Sequence, residues 1–487
     1  MPARNRFPDG LRLEPHKAGV MQQRLRAATP PLSAIVALDQ GAGGHADPVV
    51  VPGTRVFLGT PIAQPASSNA ATIHSPVSGT VRDIVASETA RGSGPAIVID
   101  NDGSDARDPR VEAPDLESLD PAGLVETMRR AGIVGLGGAA FPTSTKLEAA
   151  RARSVGHLVL NGAECEPWIS CDDALMRERP ADVAFGAQVL MRASGAARTT
   201  IAVEDDKPEA IAALHEALAS LGDDRLQVMV LPASYPAGAE RQLLAAVTGS
   251  EVPHDALPPS VGLLCQNVGT AAAVAAWART GEPCIARIVT ITGSGVARPA
   301  NLEARIGTPI AALVADCGGY RGEPRRLVAG GSMTGVALPT DAVTLSKAMN
   351  CILVAADADL VAHGIEMPCM RCGDCASACP VGLLPQQLHR AVAAADIGLS
   401  ARYGLADCIE CGCCDYVCPS RIPLTARFRA ARTAAHARDE DRQRADDARR
   451  RFEQRERRLA AQAEAERRAF EEARARARGD GSSGSAT

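Results

Sequence analysis

Two cysteine runs of the same spacing constrain this chain more than any other feature of its sequence. Nine of the 15 cysteines lie between residues 369 and 418, in CMRCGDCASACP and CIECGCCDYVCP, and both runs follow C-x2-C-x2-C-x3-C-P. Three thiolates at steps of three on one tight loop can hold three corners of a cubane cluster, and the fourth ligand then comes from elsewhere. Zinc also takes four cysteines, but zinc ribbons use two separated C-x2-C pairs. The spacing therefore predicts two [4Fe–4S] clusters.

Bacterial two-cluster ferredoxins carry this run, and in them the fourth cysteine of each run binds the other cluster. The predicted ligand sets are Cys369, Cys372, Cys375 and Cys418 for one cluster, and Cys408, Cys411, Cys414 and Cys379 for the second. Such crossed ligation holds the clusters close together, which suits one-electron transfer, and the ferredoxin-like domain is predicted at residues 355–430. The other cysteines are expected to be packed thiols or buried small hydrophobes: Cys413 inside the second run, and Cys165, Cys171, Cys265, Cys284, Cys317 and Cys351.

Composition excludes several classes of protein. The 487 residues are 46% hydrophobic and 22% charged, with a formal net charge of −5. This mild acidity does not provide the basic surface of a nucleic-acid-binding domain. The sequence has no run of about 18 apolar residues, which a transmembrane helix needs, and its first residues lack the apolar core of a signal peptide. We therefore expect a multidomain protein of the cytosol, or of the cytosolic face of a membrane where partners hold it.

The amino-terminal quarter of the chain is predicted to be β-structure. Residues 1–28 are expected to be a polar, loosely ordered leader, and residues 29–115 carry short Val/Ile-rich runs separated by Gly and Pro. VVVPGTRVFLGTPIA and IHSPVSGTVRDIV resemble the two halves of the barrel-sandwich hybrid of biotinyl and lipoyl carriers. Because no lysine occurs between Ala18 and Thr145, a swinging-arm function is excluded and a structural role is expected.

The remaining segments predict a mixed α/β architecture. Residues 120–285 alternate apolar strands with the helical PEAIAALHEALASL, which indicates a doubly wound parallel sheet of the Rossmann type. Residues 286–350 predict a β-grasp module: strand, turn, strand and the helix GTPIAALV. Residues 431–487 predict a charged helical tail with a disordered end. A solvated helix is favoured for this tail over one that docks a partner.

Two consecutive segments of the α/β domain carry residues suited to a nucleotide cofactor. GIVGLGGAAFPTSTKL (132–147) is rich in glycine and ends near Lys146, so its backbone can approach a phosphate, although such a loop can also be a simple turn. LVLNGAECEPWISCDD (158–173) leaves a buried strand and then presents Asn161, Glu164, Glu166, Asp172 and Asp173. Ligands of such sheets bind at the carboxyl ends of strands. Asp172 and Asp173, taken singly, are interpreted as solvated loop acids.

The same segments resemble a family of respiratory proteins. GLGGAAFPTSTK and NGAECEP resemble the FMN- and NADH-binding subunit of respiratory complex I. With YPAGAERQLLAAVTGSEVP, CQNVGT, GGSMTGVALP and MPCMRCGDCASACPVGLLPQQL, the chain is more similar still to the RnfC subunit of the Rnf complex, over about residues 10–430. That complex is an ion-translocating electron-transfer assembly of bacterial inner membranes. The resemblance identifies 286–350 with the SLBB module, and implies a translocase-type NADH/ferredoxin oxidoreductase subunit, peripheral on the cytoplasmic face of the inner membrane.

The resemblance also implies cofactors, partners and roles for individual residues. Electrons would pass between NAD(H), FMN, two [4Fe–4S] clusters and another subunit of the complex or ferredoxin. Glu164 is the implied catalytic residue, bordering the flavin together with Asn161. The other implied cofactor-binding residues are Gly135, Gly137, Gly138 and Lys146 for FMN, Phe141 and Glu166 for the nucleotide, and Tyr235, Gly238, Glu240 and Asn267 from a second part of the complex I pattern.

Departures from the family pattern leave two alternatives open. Ala140, Ala163 and Ala239 stand where the complex I pattern has a glycine or an acid. One alternative is a ferredoxin-like electron-relay scaffold that has no flavin or NADH chemistry. The other is a soluble flavin–iron–sulfur oxidoreductase that acts without a membrane complex. Bleaching of a bound flavin by NADH tests the first alternative, and membrane fractionation with candidate partner proteins tests the second.

Metal analysis of the anaerobically purified protein tests the cluster prediction directly. We expect about eight irons and about eight sulfides per chain, because each of the two predicted clusters is a [4Fe–4S] cubane. Colorimetric iron and sulfide assays against the protein concentration give this ratio. About four irons per chain, or zinc in place of iron, would contradict the assignment.

Overall fold

The computed structural model describes residues 10–41, 44–360 and 365–479. The chain divides into two compact units. Among the described residues, one unit comprises those up to 386 and those from 407 to 422, and includes the β and α/β modules and both cysteine runs. The other comprises residues 387–406 and those from 423 to 479 and is helical.

The amino-terminal segment, described from residue 10, is not the loosely ordered leader that its polar sequence predicts. It contains α1 (Ala18–Met21) and β1 (Arg26–Ala27). Leu11 forms a β-bridge with Tyr235, and Trp168 N donates a hydrogen bond to Pro15 O at 2.9 Å. β1 pairs in parallel with the strand Ala300–Arg305. The local sequence does not reveal this order, because the partners of these contacts are distant along the chain.

The following β-module consists of two small antiparallel sheets. Its strands are β2 (Ser33–Ala37), β3 (Ala46–Pro48), β4 (Arg55–Val56), β5 (Pro61–Pro65), β6 (Ile73–His74), β7 (Gly79–Thr89) and β8 (Gly92–Asn101). The sheet orders are β2-β8-β7-β4 and β3-β5-β6. Apolar side chains such as Val36, Ile62 and Ile97 form one core, because alternate residues of each strand point to the same face.

A four-stranded parallel sheet of order β11-β10-β9-β12 forms the α/β domain. Its elements are α2 (Pro121–Arg130), α3 (Thr143–Ala152), β9 (His157–Gly162), α4 (Cys171–Glu178), α5 (Pro180–Ser194), β10 (Arg198–Glu204), α6 (Pro208–Leu221), β11 (Leu226–Leu231), α7 (Glu240–Thr248), β12 (Leu263–Asn267) and α8 (Val268–Thr280). Leu158 and Leu160 of β9 pack on one face and Val159 on the other, so both faces are covered. In chain order this is the 3-2-1-4 arrangement of the Rossmann type.

A six-stranded sheet forms the next module and takes up β1 at its edge. Its elements are β13 (Ala286–Thr292), β14 (Ala300–Arg305), α9 (Ile310–Asp316), β15 (Arg326–Ala329), β16 (Val336–Ala337) and β17 (Cys351–Ala355), in the sheet order β1-β14-β13-β17-β15-β16. The predicted sequence of strand, turn, strand and helix is confirmed over residues 286–316. α9 and the sheet enclose a core that includes Val289, Leu302 and Leu313.

The carboxyl-terminal region is helical. Its helices are α10 (Asp374–Ser377), α11 (Pro385–Ala393), α12 (Ile397–Arg402), α13 (Cys413–Tyr416) and α14 (Leu424–Gly479). The predicted charged helix is confirmed in α14, whose side chains from residue 436 to 476 are all exposed and include ion pairs one turn apart, such as Arg468–Glu464. The predicted disordered end lies outside the described residues beyond Gly479. Among residues 10–41, 44–360 and 365–479, no helix combines the length and the hydrophobicity needed to cross a bilayer.

Candidate functional site

The parallel sheet changes strand order between β9 and β12, and the two predicted asparagines lie at this point. Asn161 and Asn267 are register partners at the carboxyl ends of these strands. Asn267 Oδ1 accepts a hydrogen bond from Gly269 N (2.8 Å), and its Nδ2 donates to Asp172 Oδ2 (2.7 Å). Asn161 Nδ2 donates to Gly238 O at 2.8 Å. Doubly wound sheets bind ligands at such a switch point, so β9 and β12 bring predicted polar residues to the expected ligand position.

Residues 134–142 form a closed glycine loop beside this switch point. Gly135 N donates to Phe141 O at 2.8 Å and Ala140 N donates to Gly135 O at 3.0 Å, which joins the two arms. The tip residues Gly137, Gly138 and Ala139 are exposed, and their amides donate no hydrogen bond within the described part of the chain. Gly138 has φ +119°, which L side chains rarely adopt. Adjacent free N–H groups on such a loop are suited to binding a phosphate.

A cavity of about 530 Å³ adjoins the tip of this loop. Its walls come from the amino-terminal β-module, the α/β domain, the β-grasp module and the second cysteine run. The predicted site residues in its lining are Gly137, Gly138, Asn161, Glu164, Glu166, Tyr235, Gly238 and Asn267. A cavity of this volume is large enough for a cofactor-sized ligand, so the fold brings these eight residues together around one space.

Four other predicted cofactor residues lie outside the lining: Gly135, Phe141, Lys146 and Glu240. Gly135 and Phe141 close the base of the glycine loop through their backbone. Lys146 Nζ lies 2.7 Å from Glu240 Oε2 and 3.4 Å from Cys265 O. In this arrangement Lys146, one of the residues implied for FMN, is paired with the carboxylate of Glu240.

Glu164, the predicted catalytic residue, lines the cavity but is only 7% exposed. Its carboxylate accepts hydrogen bonds from Asp172 N at 2.8 Å and Asp173 N at 3.3 Å, at the start of α4. Cys171 Sγ lies 3.4 Å from Glu164 Oε1. Burial raises the pKa of Glu164 to about 7, against the opposing charge of Lys17 and with the added effect of Asp172. A carboxyl group that titrates near neutral pH is suited to general acid–base work.

Lys17 belongs to this site, although sequence reasoning placed it in a loose leader. The side chain is 3% exposed, and its Nζ donates a hydrogen bond to Glu164 O. The neighbouring His16 ring stacks on Trp168 with 4.5 Å between ring centroids. A buried ammonium beside buried acids offsets part of their mutual repulsion. Its partner is 147 residues away in the sequence, so no local pattern indicates this contact.

The interpretations of two single residues need correction. Asp173 is not a solvated loop acid, because it is 1% exposed and Arg177 Nε lies 2.9 Å from its Oδ2. Asp172 is half-buried and accepts the hydrogen bond from Asn267. Cys165 is half-buried and packs against an apolar cluster that includes Tyr235. It also lines the cavity, where its Sγ accepts a hydrogen bond from Gly238 N at 3.3 Å.

Glu166 and Tyr235 connect the cavity with the β-grasp module and the second cysteine run. Glu166 Oε1 accepts hydrogen bonds from Met333 N at 2.7 Å and Thr334 N at 3.0 Å. Tyr235 is 3% exposed, and its hydroxyl donates to Cys411 O at 2.6 Å. Cys411 itself lines the cavity. The space beside the glycine loop therefore extends to the backbone of a predicted cluster ligand.

The two cysteine runs fold as two copies of one loop. The residue before the second cysteine has a positive φ in each run, 61° at Arg371 and 55° at Glu410, and a positive-φ glycine follows that cysteine, Gly373 and Gly412. A one-turn helix comes next in both, α10 and α13. After the Cys-Pro pair, Gly382 N donates to Cys379 O and Arg421 N donates to Cys418 O. Equal backbone paths give equivalent cysteines equivalent positions, which fits two clusters of one kind.

Contacts between the runs fit the crossed ligand sets. Met367 N donates to Ser420 O at 2.9 Å, and Ser420 Oγ donates to Pro368 O at 3.0 Å. The end of the second run, at Cys418, thus lies beside the start of the first. Burial raises the pKa of the Cys379 thiol, and the nearby Cys411 thiolate of the other run raises it further.

Exchanging single cysteines tests this crossed arrangement. Cys379→Ser should remove the cluster built mostly on residues 408–414, because that cluster loses its fourth thiolate, and iron should fall to about four per chain. Cys408→Ser should remove the same electron paramagnetic resonance signal, whereas Cys369→Ser should remove the other. Cys413→Ser is the matched control, since this buried thiol lies in the same loop but off the spacing. If Cys379→Ser and Cys369→Ser abolished the same signal, the crossed sets would be wrong.

The pKa of Glu164 gives a stability test. Because its folded-state value is about 7 and its ordinary value is 4.5, the native state holds a proton that the unfolded chain releases between these values. Stability should therefore fall as pH rises from about 4.5 to 7, by at most about 1.4 kcal/mol per pH unit. Urea unfolding at several pH values measures how the free energy of unfolding depends on pH. In Glu164→Gln this decrease with rising pH should be smaller than in the wild type, whereas Glu148→Gln, on the exposed side of α3, should behave as the wild type. Equal slopes for wild type and Glu164→Gln would contradict the prediction.

Four protein-family models match successive segments of the chain that correspond to its structural modules. Residues 5–104 match the RnfC barrel sandwich hybrid domain, residues 128–276 the Nuo51 FMN-binding domain, residues 288–337 the SLBB domain and residues 368–422 the 4Fe-4S dicluster domain. The predicted fold class is confirmed by these matches. They also bear out FMN and two [4Fe–4S] clusters as the cofactors, which fits the free amides of the glycine loop and the repeated cysteine loops.

Curated relatives cover most of the chain. The RnfC subunit of the ion-translocating oxidoreductase complex of Pseudomonas aeruginosa is 44% identical over 94% of this chain, which spans 59% of that relative's length. The protein of the same name from Rhodobacter capsulatus is 38% identical over 79% of this chain and 74% of its own length. Among solved structures, a NAD+-reducing [NiFe]-hydrogenase matches with a TM-score of 0.42 and 23% identity, over 48% of this chain and 47% of that chain. The chain thus belongs to the RnfC family of ion-translocating oxidoreductase complex subunits.

Proposed function

We propose that this chain is the subunit through which electrons enter a membrane-bound ion-translocating complex. It exchanges electrons between NAD(H), FMN, two [4Fe–4S] clusters and a partner subunit or ferredoxin. In this role it works as a peripheral protein on the cytoplasmic face of the bacterial inner membrane. Family membership supports the proposal. Because this chain spans 59% of the length of the Pseudomonas aeruginosa relative, the proposal does not extend to the rest of that relative.

One observation supports the proposal above all others. A single cavity is lined both by the amides at the tip of the glycine loop and by Cys411 of the second cysteine run. Tyr235 lines the same cavity and donates its hydroxyl hydrogen bond to Cys411 O. An electron donor bound in this space lies against the backbone of a cluster ligand. Such proximity is what a subunit needs if it converts hydride chemistry into single-electron transfer.

Each of the chain's own residues would contribute binding, orientation or a proton. Bound FMN would supply the chemistry of accepting two electrons as hydride and releasing them singly. The amides of Gly137 and Gly138 would bind its phosphate, and Asn161 would border it at the end of β9. Glu164 would hold or release a proton near neutral pH, since burial places its pKa at about 7. Lys17 would keep this pKa from rising further, because an adjacent positive charge favours the ionised carboxylate.

One structural observation supports the alternative of an electron-relay scaffold without flavin chemistry. Ala140 adopts φ +49° at a position where the complex I pattern has glycine, and a left-handed conformation costs an alanine about 1 kcal/mol or more. The strain lies in the glycine loop that would hold the flavin. The experiment must therefore observe flavin reduction and cluster reduction separately.

Anaerobic mixing of the FMN-loaded protein with NADH separates these steps. We expect loss of flavin absorbance followed by the electron paramagnetic resonance signal of reduced clusters. Cys411→Ser should keep the first change and lose most of the second, because its substitution removes a ligand of the cluster beside the cavity. Cys413→Ser, in the same loop, should behave as the wild type. Failure of NADH to bleach the flavin would favour the relay scaffold, and bleaching without any cluster signal in the wild type would overturn the relay.

A further inference from the structure

Two buried cations lie behind the glycine loop, and both come from the β-grasp module. Arg287 belongs to β13 and is 5% exposed, and Lys347 precedes β17 and is 1% exposed. Within the described part of the chain, neither side chain forms a salt bridge. Buried lysine and arginine side chains are normally paired with a carboxylate. The charges of Arg287 and Lys347 must therefore be stabilised by groups other than carboxylates.

Both cations donate hydrogen bonds to backbone carbonyl groups, and one bond of each reaches the glycine loop or the segment just before it; Arg287 Nε donates to Ile288 O at 3.1 Å. Arg287 Nη2 donates to Leu136 O at 2.9 Å, and its Nη1 donates to Lys347 O. Lys347 Nζ donates to Gly132 O at 2.8 Å and to Thr72 O at 3.2 Å. The carbonyls of Gly132 and Leu136 thus accept hydrogen bonds from two buried basic side chains. The free amides lie on the following residues, Gly137 to Ala139.

This arrangement orients the loop for an anion. A peptide group that donates on one side accepts on the other, so fixing the Leu136 carbonyl fixes the direction of the Gly137 amide. The two positive charges add to the potential on the amide side, because charges inside a protein are screened less than in water. Burial lowers the pKa of Arg287, and the neighbouring Cys171 and Asp172 act against this effect. Asn267 Nδ2 already donates a hydrogen bond to one carboxylate oxygen of Asp172.

We propose that Arg287 and Lys347 are positioning residues that fix the glycine loop from behind and provide the positive charge that receives the phosphate of the flavin. The proposal rests on the proposed function, in which the glycine loop binds FMN. It assigns to the β-grasp module a task in cofactor binding that no residue of that module was predicted to perform. Lys146, the basic residue that the resemblance implied for FMN, pairs with Glu240.

Comparing the binding of FMN and of riboflavin to the full-length protein isolates the contribution of the phosphate, because the two ligands differ only by that group. Arg287→Met and Lys347→Met should each weaken FMN binding about tenfold or more, as expected when a charged hydrogen-bond donor is lost. Riboflavin binding should change much less. Titrations of flavin fluorescence give both constants, and the iron content of each variant reports whether the cluster domain has folded.

Arg179→Gln is the matched control, because it removes a bidentate ion pair with Glu303, at 2.8 and 2.6 Å, between the same two modules but away from the loop. It should leave FMN binding unchanged. Arg287→Lys, which keeps the charge and loses the fork, should fall between wild type and Arg287→Met, and it serves where the methionine variant does not fold. Equal weakening of FMN and riboflavin, or no change in either, would overturn the proposal.

Hydrogen exchange of the flavin-free protein gives a second measurement. Amides of residues 133–140 should exchange faster in Arg287→Met and Lys347→Met than in the wild type or Arg179→Gln. Unchanged exchange in these residues would overturn the positioning role. If the wild type bound inorganic phosphate with the predicted dependence on Arg287 but bound no FMN, the proposed function would fail while the inference about the loop would stand.

Discussion

The hydrogen bond from the Tyr235 hydroxyl to Cys411 O joins the part of the chain that is built for a nucleotide to the part that is built for iron and sulfur. Electron transfer requires its two partners to be close, and a flexible tether between them would make that distance variable. Residues 407–422 belong to the same compact unit as the α/β domain. The second cysteine run is therefore part of the cavity wall, and the distance between the two sites is set by packing within one unit.

Local patterns were enough to predict several elements of this structure. The run PEAIAALHEALASL forms α6 from Pro208 to Leu221, because proline fits the first helical turn and Gly222 with φ 67° ends it. The apolar strands expected between residues 120 and 285 include HLVLN (157–161) and LQVMVL (226–231), which lie in β9 and β11. The cysteine spacing predicted two similar loops, and the positive φ values recur at Gly373 and Gly412. In each case the information lies within a few residues of the feature.

Residues of the site that depend on distant partners were not predictable in this way. Lys17 is 147 residues from Glu164, and Arg287 is 151 residues from Leu136. Neither residue stands in a motif, and an isolated lysine or arginine is ordinarily exposed. The resemblance to complex I implied that Lys146 helps to hold FMN, and in the structure it pairs with Glu240 of the same pattern. Which of two neighbouring charges faces a ligand depends on packing, and packing is not a property of either segment alone.

The amino-terminal β-module has the fold of a carrier but lacks the lysine that a carrier needs, and its position explains why the fold is useful without it. Asp39, Gln40 and Arg91 of this module line the same cavity as the glycine loop. Gln40 Oε1 also accepts a hydrogen bond from Lys347 N at 2.9 Å, which fixes the backbone of the residue whose ammonium holds Gly132 O. The module thus acts on the glycine loop through the β-grasp module. A cavity assembled from four segments keeps its shape only if each segment is held by another, and this chain meets that condition with hydrogen bonds between modules.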